Sequence, residues 1–173
     1  MSIVIWFTGM SGSGKTTLGK RLVEHFETQG LRVTHLDGDA IRQISGNTDF
    51  SRAGRERNID SVRAHLLAHA GDQDVSIVSA ITPYDNMRAK NRAAVPGYFE
   101  VFCRCTLDAL IARDPKGLYK AALAGKIRNF TGIDDPFEEP GRPDVVVDTA
   151  AESIEESLAA ILGAIAPLLR AKA

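Results

Sequence analysis

The segment Gly9-Met10-Ser11-Gly12-Ser13-Gly14-Lys15-Thr16 constrains this chain more than any other part of it. It places glycines, a lysine and a hydroxyl at every fixed position of a phosphate-binding loop. The glycines let the backbone turn so that successive N–H groups converge on phosphate oxygens. A helix beginning near Lys15 adds the positive end of its dipole. Lys15 supplies a mobile cation for the β- and γ-phosphates, and the Thr16 hydroxyl a ligand for magnesium. Such a loop needs a buried strand before it and a helix after it. Ile3–Phe7 is a compact apolar run, and Lys15–Gln29 carries Leu18, Leu22, Val23 and Phe26 at helical spacing. The expected ligands are ATP and Mg2+. The residues expected on the phosphates are Gly9, Ser11, Gly12, Ser13, Gly14, Lys15, Thr16 and Thr17.

The rest of the chain alternates in the same way. Arg32–Leu36, Val75–Ile81, Phe99–Cys105 and Val145–Val147 read as strands. Gly54–Ala70, Met87–Ala94, Leu107–Arg113 and Ile154–Leu169 read as helices, the first with Ile59, Val62, Leu66 and Leu67 on one face. This predicts an α/β P-loop kinase fold with a central five-stranded parallel sheet flanked by helices. Residues 114–143 break the pattern, with four prolines, four glycines and one short helical patch at Leu118–Leu123. A stretch of that kind inside a compact domain reads as a lid. Residues 1–173 together read as one kinase domain.

The formal net charge of −1 weighs against a nucleic-acid partner. No apolar run approaches the ~20 residues of a membrane span. The first apolar run has no basic residues before it and leads straight into the glycine loop, unlike a signal peptide. Cys103 and Cys105, two apart on a strand, read as small core residues, which points to a reducing, cytoplasmic setting.

Asp37-Gly38-Asp39 follows directly on the second strand and reads as a pair of functional carboxylates, with Gly38 allowing close approach of backbone and ligand. Ligands of open parallel sheets gather beyond the carboxyl ends of the strands, so these carboxylates share a crevice with the glycine loop. Phosphoryl transfer needs a group that positions or deprotonates the attacking hydroxyl, and a carboxylate near the metal. The reading is a phosphotransferase acting on a small acceptor.

Four strings carry a closer resemblance: GMSGSGKTT, LDGDAIR, FSRAGRERNI and RDPKGLYKAALAGKIRNFTGIDDPFEEP. Together they resemble the adenylylsulfate kinases over roughly Ile5 to Thr149. That family passes a phosphate from ATP to the 3′-hydroxyl of adenosine 5′-phosphosulfate, the second step of sulfate activation. The resemblance implies that Asp39 positions or deprotonates the acceptor hydroxyl, with Asp37 near the metal. It places Arg42, Arg55 and Asn58 on the anionic part of the acceptor and sandwiches the base between Phe50 and Phe130. It puts Ile81 and Thr82 in a turn lining the acceptor, and Lys116, Gly117 and Leu118 in the closing lid. Arg113 falls beside the adenine of ATP, opposite residues 148–151.

The chain departs from the family on the acceptor side. Ala40 stands where asparagine is usual, and the loop from Asn47 to Phe50 is about two residues short. Asp60 and Ser61 replace two arginines, and Asp85 replaces an arginine after Pro83-Tyr84. Two other readings therefore stay open: a kinase for the sugar hydroxyl of another modified nucleotide, such as a cytidine diphosphate derivative in surface-polysaccharide modification, and a non-catalytic nucleotide-binding regulator. The family's members often form dimers, commonly with an added N-terminal segment, so a homodimer is one assembly the resemblance implies.

Overall fold

Strand β1 (Ile3–Thr8) is buried at every residue, as its unbroken apolar run requires. It pairs in parallel with β3 (Val75–Ser79) on one side and β4 (Tyr98–Arg104) on the other. β2 (Val33–Leu36) and β5 (Val145–Asp148) add the edges, giving five parallel strands in the order β2-β3-β1-β4-β5. The expected α/β architecture is the one observed. The computed structural model describes residues 2–170, apart from the side chain of Asp39.

Alternation along β1 sends its side chains into two cores. Ile3, Ile5 and Phe7 meet Leu18, Leu22 and Phe26 of α1 (Lys15–Thr28) and Ile161 and Ile165 of α7 (Ile154–Arg170). Val4 and Trp6 meet Ile59, Val62 and Leu66 of α3 (Arg52–Ala68) and Met87 of α4 (Asp85–Ala94). Leu67, expected on the buried face of α3, is instead exposed, because it lies about 100° round the helix from Leu66.

The structure also adds an element after the acidic residues. A helix, α2 (Gly38–Ser45), which the sequence reading left unassigned, begins directly after Asp37. Asp37 starts it: Oδ1 accepts from the Ala40 N–H at 3.1 Å, and its carbonyl accepts from Ile41 at 2.8 Å. Ile41 is buried, and Ala40 and Ile44 pack on the second core. A Cβ on Gly38 would meet the Arg42 guanidinium at 3.8 Å, so no protein atom crowds that position.

Residues 114–143 are more regular than their composition suggests. After α5 (Leu107–Arg113), α6 has the expected bounds, Leu118–Leu123. Asp134 then accepts from the Asn129 N–H at 2.8 Å and the Phe130 N–H at 2.6 Å, and Thr131 bridges to Asp135.

One glycine controls the approach of the loop before α3. A Cβ on Gly54 would lie 2.2 Å from the Asp49 carbonyl oxygen, a backbone atom that can retreat only by moving the loop. We expect Gly54→Ala to destabilise the fold by about 1–3 kcal/mol, as overpacking does. Thermal unfolding should read this as a fall of about 2–4 °C per kcal/mol in a chain of this size.

Candidate active site

The glycine loop sits at the carboxyl end of β1, pressed against β4. Gly9 has φ 148°, and a Cβ there would lie 2.6 Å from the Cys103 carbonyl oxygen. Only glycine lets the loop lie this close to the neighbouring strand. Gly14, at φ 89°, caps α1, and Thr16 and Thr17 are exposed in the first helical turn. Lys15 is buried, and its ammonium donates to the carbonyls of Gly9 at 2.8 Å and Met10 at 2.7 Å. Burial pushes its pKa down to about 8; Cys103 raises it slightly and the nearby Lys116 lowers it. Loop carbonyls and phosphate oxygens thus compete for the same ammonium.

Beside the loop, Ile81 and Thr82 form the expected turn at the end of β3. Thr82 has φ 46°, a rare conformation for a β-branched residue. Three donors hold it there. Trp6 Nε1 donates to Thr82 Oγ1 at 2.8 Å, and the Arg88 guanidinium donates to the Thr82 carbonyl at 2.7 Å. Thr8 Oγ1 donates to the carbonyl of Ile81 at 2.7 Å. Strain over-determined in this way is typical of functional turns.

The structure brings Phe50, Arg55 and the Asn129–Phe130 segment together. Phe50 is 56% exposed, on a loop tied to itself through Asp49, which accepts from the Ser51 N–H at 2.9 Å and its hydroxyl at 2.8 Å. These bonds hold the Asp49 carboxylate below its usual pKa. Arg55 Nε donates to the Phe50 carbonyl at 3.0 Å, and its Nη2 donates to the Asn129 carbonyl. The Phe130 ring packs edge-on to Tyr119, centroids 4.9 Å apart. Asn58, one turn after Arg55, has a buried Oδ1 with no protein partner. The Arg42 guanidinium lies over Gly38. The Asp39 expectation falls on a side chain outside the description, although its backbone belongs to α2.

The segment 114–143 is tied to the phosphate loop by a residue that the sequence reading passed over. Tyr119, buried in α6, donates from its hydroxyl to the Ser11 carbonyl at 2.7 Å. Asp114 orients α6 by accepting from the N–H groups of Tyr119 at 3.0 Å and Lys120 at 2.9 Å. This leaves Lys116 and Gly117 exposed and Leu118 half-buried beside the loop. Both residues lie in the string RDPKGLYK, where an aspartate five before a tyrosine was the available signal. Arg113 donates to the Thr149 carbonyl and, at 3.4 Å, to Cys105 Sγ. The Thr149 methyl lies 3.6 Å from where a Gly14 Cβ would be, so Arg113, Thr149 and the loop meet.

Three of the departures on the acceptor side have local explanations. Asp60 is half exposed and pairs with Arg63 three residues on. Asp85 is largely exposed and pairs with Arg88; its N–H is bound by Glu138 Oε2 at 2.6 Å. Ala40 turns into the second core. None of the three presents an unpaired charge to the crevice.

Among the described residues, no three His, Cys, Asp or Glu gather to hold a metal by themselves. Magnesium does not need such a cage, since one or two protein oxygens plus nucleotide phosphates suffice. The exposed Thr16 hydroxyl and the half-buried Asp37 carboxylate fit that donor set.

Comparison with known proteins agrees with this arrangement. Residues 1–148 match the family model described as adenylylsulphate kinase. The chain is 46% identical to the adenylyl-sulfate kinase of Chloroflexus aurantiacus, covering 94% of this chain and 88% of that protein. It is 48% identical to a probable bifunctional SAT/APS kinase 2 of Sorangium cellulosum over 92% of this chain, but spans only 28% of that longer protein. Its structure is similar to the APS kinase CysC of Mycobacterium tuberculosis in complex with AMPPNP and APS. There the TM-score is 0.89 at 34% identity, over 95% of this chain and 97% of the other.

The buried ammonium yields a pH-linked prediction. With the Lys15 pKa at about 8, part of the population is neutral near that pH. Triphosphate binding favours the charged form and raises the pKa again. Nucleotide binding from about pH 8 upward should therefore take up a proton at Lys15. Calorimetry in buffers of different ionisation enthalpy reads this uptake. Lys15→Ala should abolish it and cut phosphate transfer by about 10²–10³; uptake that persists in the variant would assign it to another group.

Proposed function

Because the chain belongs to the adenylylsulphate kinase family, we propose that it passes the γ-phosphate of ATP to the 3′-hydroxyl of adenosine 5′-phosphosulfate. The products are ADP and 3′-phosphoadenosine 5′-phosphosulfate. One observation supports this reading above the others. The string that resembles this family most specifically is the one docked on the phosphate loop, through Tyr119 and Ser11. Its middle, at Asn129, meets the segment carrying Phe50 through Arg55.

In this reading the N–H groups of residues 9–16 hold the phosphates, and Lys15 exchanges its loop carbonyls for β- and γ-oxygens. Thr16 and Asp37 would hold Mg2+, which supplies charge neutralisation to the phosphates when bound. Phe50 and Phe130 stack on the adenine of the acceptor, leaving its hydrogen bonds to other groups. Asn58 offers its unpaired Oδ1, and Arg42 its charge, to the polar part of the acceptor. Asp39 accepts the proton of the 3′-hydroxyl as the new P–O bond forms. The docked lid excludes water, which limits hydrolysis of ATP. Arg113 packs by the ATP base.

A cytidine diphosphate acceptor draws no support from Asp60, Asp85 or Ala40, because the first two are paired at the surface and the third is packed inside. The free, buried thiols of Cys103 and Cys105 support a cytoplasmic setting. No described helix is long and apolar enough to cross a membrane.

The test is an acceptor screen with ATP and Mg2+ that compares adenosine 5′-phosphosulfate with cytidine and uridine diphosphate derivatives. The sulfated adenosine nucleotide should have the highest kcat/KM; a pyrimidine nucleotide turned over faster overturns the reading. Asp39→Asn should lower kcat by about 10²–10⁴ with little change in the KM for ATP. A collapse of ATP affinity instead would make Asp39 a metal or structural residue.

A further inference from the structure

We propose that Tyr84 and Asp135 form a strut that, acting through Arg55, sets the separation of the two aromatic walls of the acceptor site. The inference deepens the kinase reading above and rests on it for the identity of the acceptor.

Arg55 joins the two walls directly. Its Nε donates to the Phe50 carbonyl at 3.0 Å and its Nη2 to the carbonyl of Asn129, the residue before Phe130. A guanidinium is a rigid planar fork, so two carbonyls bound to it keep one spacing. Those main chains carry the two rings. Two of the three Arg55 nitrogens are thereby committed to protein carbonyls. This makes Arg55 a spacer first, whatever it adds to anion binding.

Arg55 is held in turn. Asp135 Oδ2 lies 3.9 Å from Arg55 Nε, and the two side chains are only 17% and 13% exposed. Shielding from solvent makes this charge contact stronger than a surface pair. The Tyr84 hydroxyl donates to the same carboxylate, at 2.7 Å to Oδ2 and 3.0 Å to Oδ1. Tyr84 is fully buried in the second core, with the Arg52 guanidinium 4.1 Å over its ring. Burial first, and the Asp135 carboxylate second, push the Tyr84 pKa up to about 12, so the hydroxyl remains a donor at any working pH.

The neighbourhood of Tyr84 is rigid enough to serve as an anchor. Glu138 N–H donates to the Pro83 carbonyl at 2.8 Å, and Arg88 donates to the Glu138 carbonyl. The Asp85 N–H donates to Glu138 Oε2 at 2.6 Å. One continuous line thus runs from the core through Tyr84, Asp135 and Arg55 to both ring-bearing segments. None of its first two members touches the reacting atoms; they are positioning residues.

The test uses Tyr84→Phe, which removes one hydroxyl and keeps the buried ring, and Asp135→Asn, which keeps shape but removes charge. Each should raise the KM for adenosine 5′-phosphosulfate about tenfold or more, the scale of losing a hydrogen bond to a charged group. The KM for ATP and kcat should stay within about twofold, since the phosphate loop is untouched. Because the two residues act in series, the double variant should be no worse than the poorer single. A uniform rise of both KM values with a matching fall in Tm would indicate general destabilisation and overturn the strut. An unchanged acceptor KM in Tyr84→Phe would overturn it too.

Hydrogen exchange gives a readout without any acceptor. In both variants, amides of residues 128–135 and 47–51 should exchange faster while those of β1 and β3 do not change. If the unmodified protein ignores adenosine 5′-phosphosulfate, the functional reading fails, and the exchange pattern alone decides the strut. Unaltered exchange in both segments would remove it.

Discussion

The rest of the structure depends on the contact between the glycine loop and β4. Gly9 lies against the Cys103 carbonyl so closely that a methyl group would collide with backbone. That contact is available only because β1 is central, with β3 and β4 paired on its two sides. The loop is thereby set on the sheet, and α1 leaves it in the one direction that buries Leu18, Leu22 and Phe26. Lys15 is drawn into a low-dielectric position by the same geometry. A lysine in solvent would keep its ordinary pKa; here burial makes the ammonium sensitive to what its neighbours offer.

A second layer is built on that frame. The turn at Ile81–Thr82 is pinned by Trp6, Thr8 and Arg88, which come from β1 and α4. The following residues, Pro83 to Arg88, receive the end of the segment 114–143, and Tyr119 fastens its beginning to the phosphate loop. Residues 114–143 thus form a folded segment held at several points, among them Tyr119 on Ser11, Asn129 on Arg55 and Asp135 on Tyr84. Its aromatic Phe137 lies on Phe102 of β4, centroids 5.9 Å apart, which adds an apolar contact between them. The segment is braced internally by Asp114, which accepts from the Tyr119 N–H, and by Asp134, which accepts from the Phe130 N–H.

Much of this was legible in the residues. The loop, the five strands, the bounds of α5 and α6, and the family itself follow from local patterns: a glycine spacing, apolar runs, and a distinctive string. The errors arose where a signal was short or where two readings share a pattern. α2 is eight residues long, and its starting aspartate also looks like a turn residue. Leu67 falls next to the buried stripe of α3, and an apolar side chain does not declare its side of the helix. Asp60 and Asp85 looked like charge reversals in a binding site because composition does not reveal which way a side chain points. Each has an arginine three residues on, the spacing at which helical side chains meet.

By itself the sequence determined the chemistry available to this protein: a phosphate loop, the order of strands and helices, and the residues that resemble one kinase family. These depend on contacts between near neighbours in the chain, where spacing is enough. Tertiary structure alone decided that Tyr119 holds the lid to the loop across 108 positions and that Arg55 joins Phe50 to a segment 74 residues away. It also decided that Lys15 is buried and that Tyr84 and Asp135 meet. Those facts follow from how the sheet orders its strands, since hydrogen bonds between distant segments form only once packing has brought them within reach.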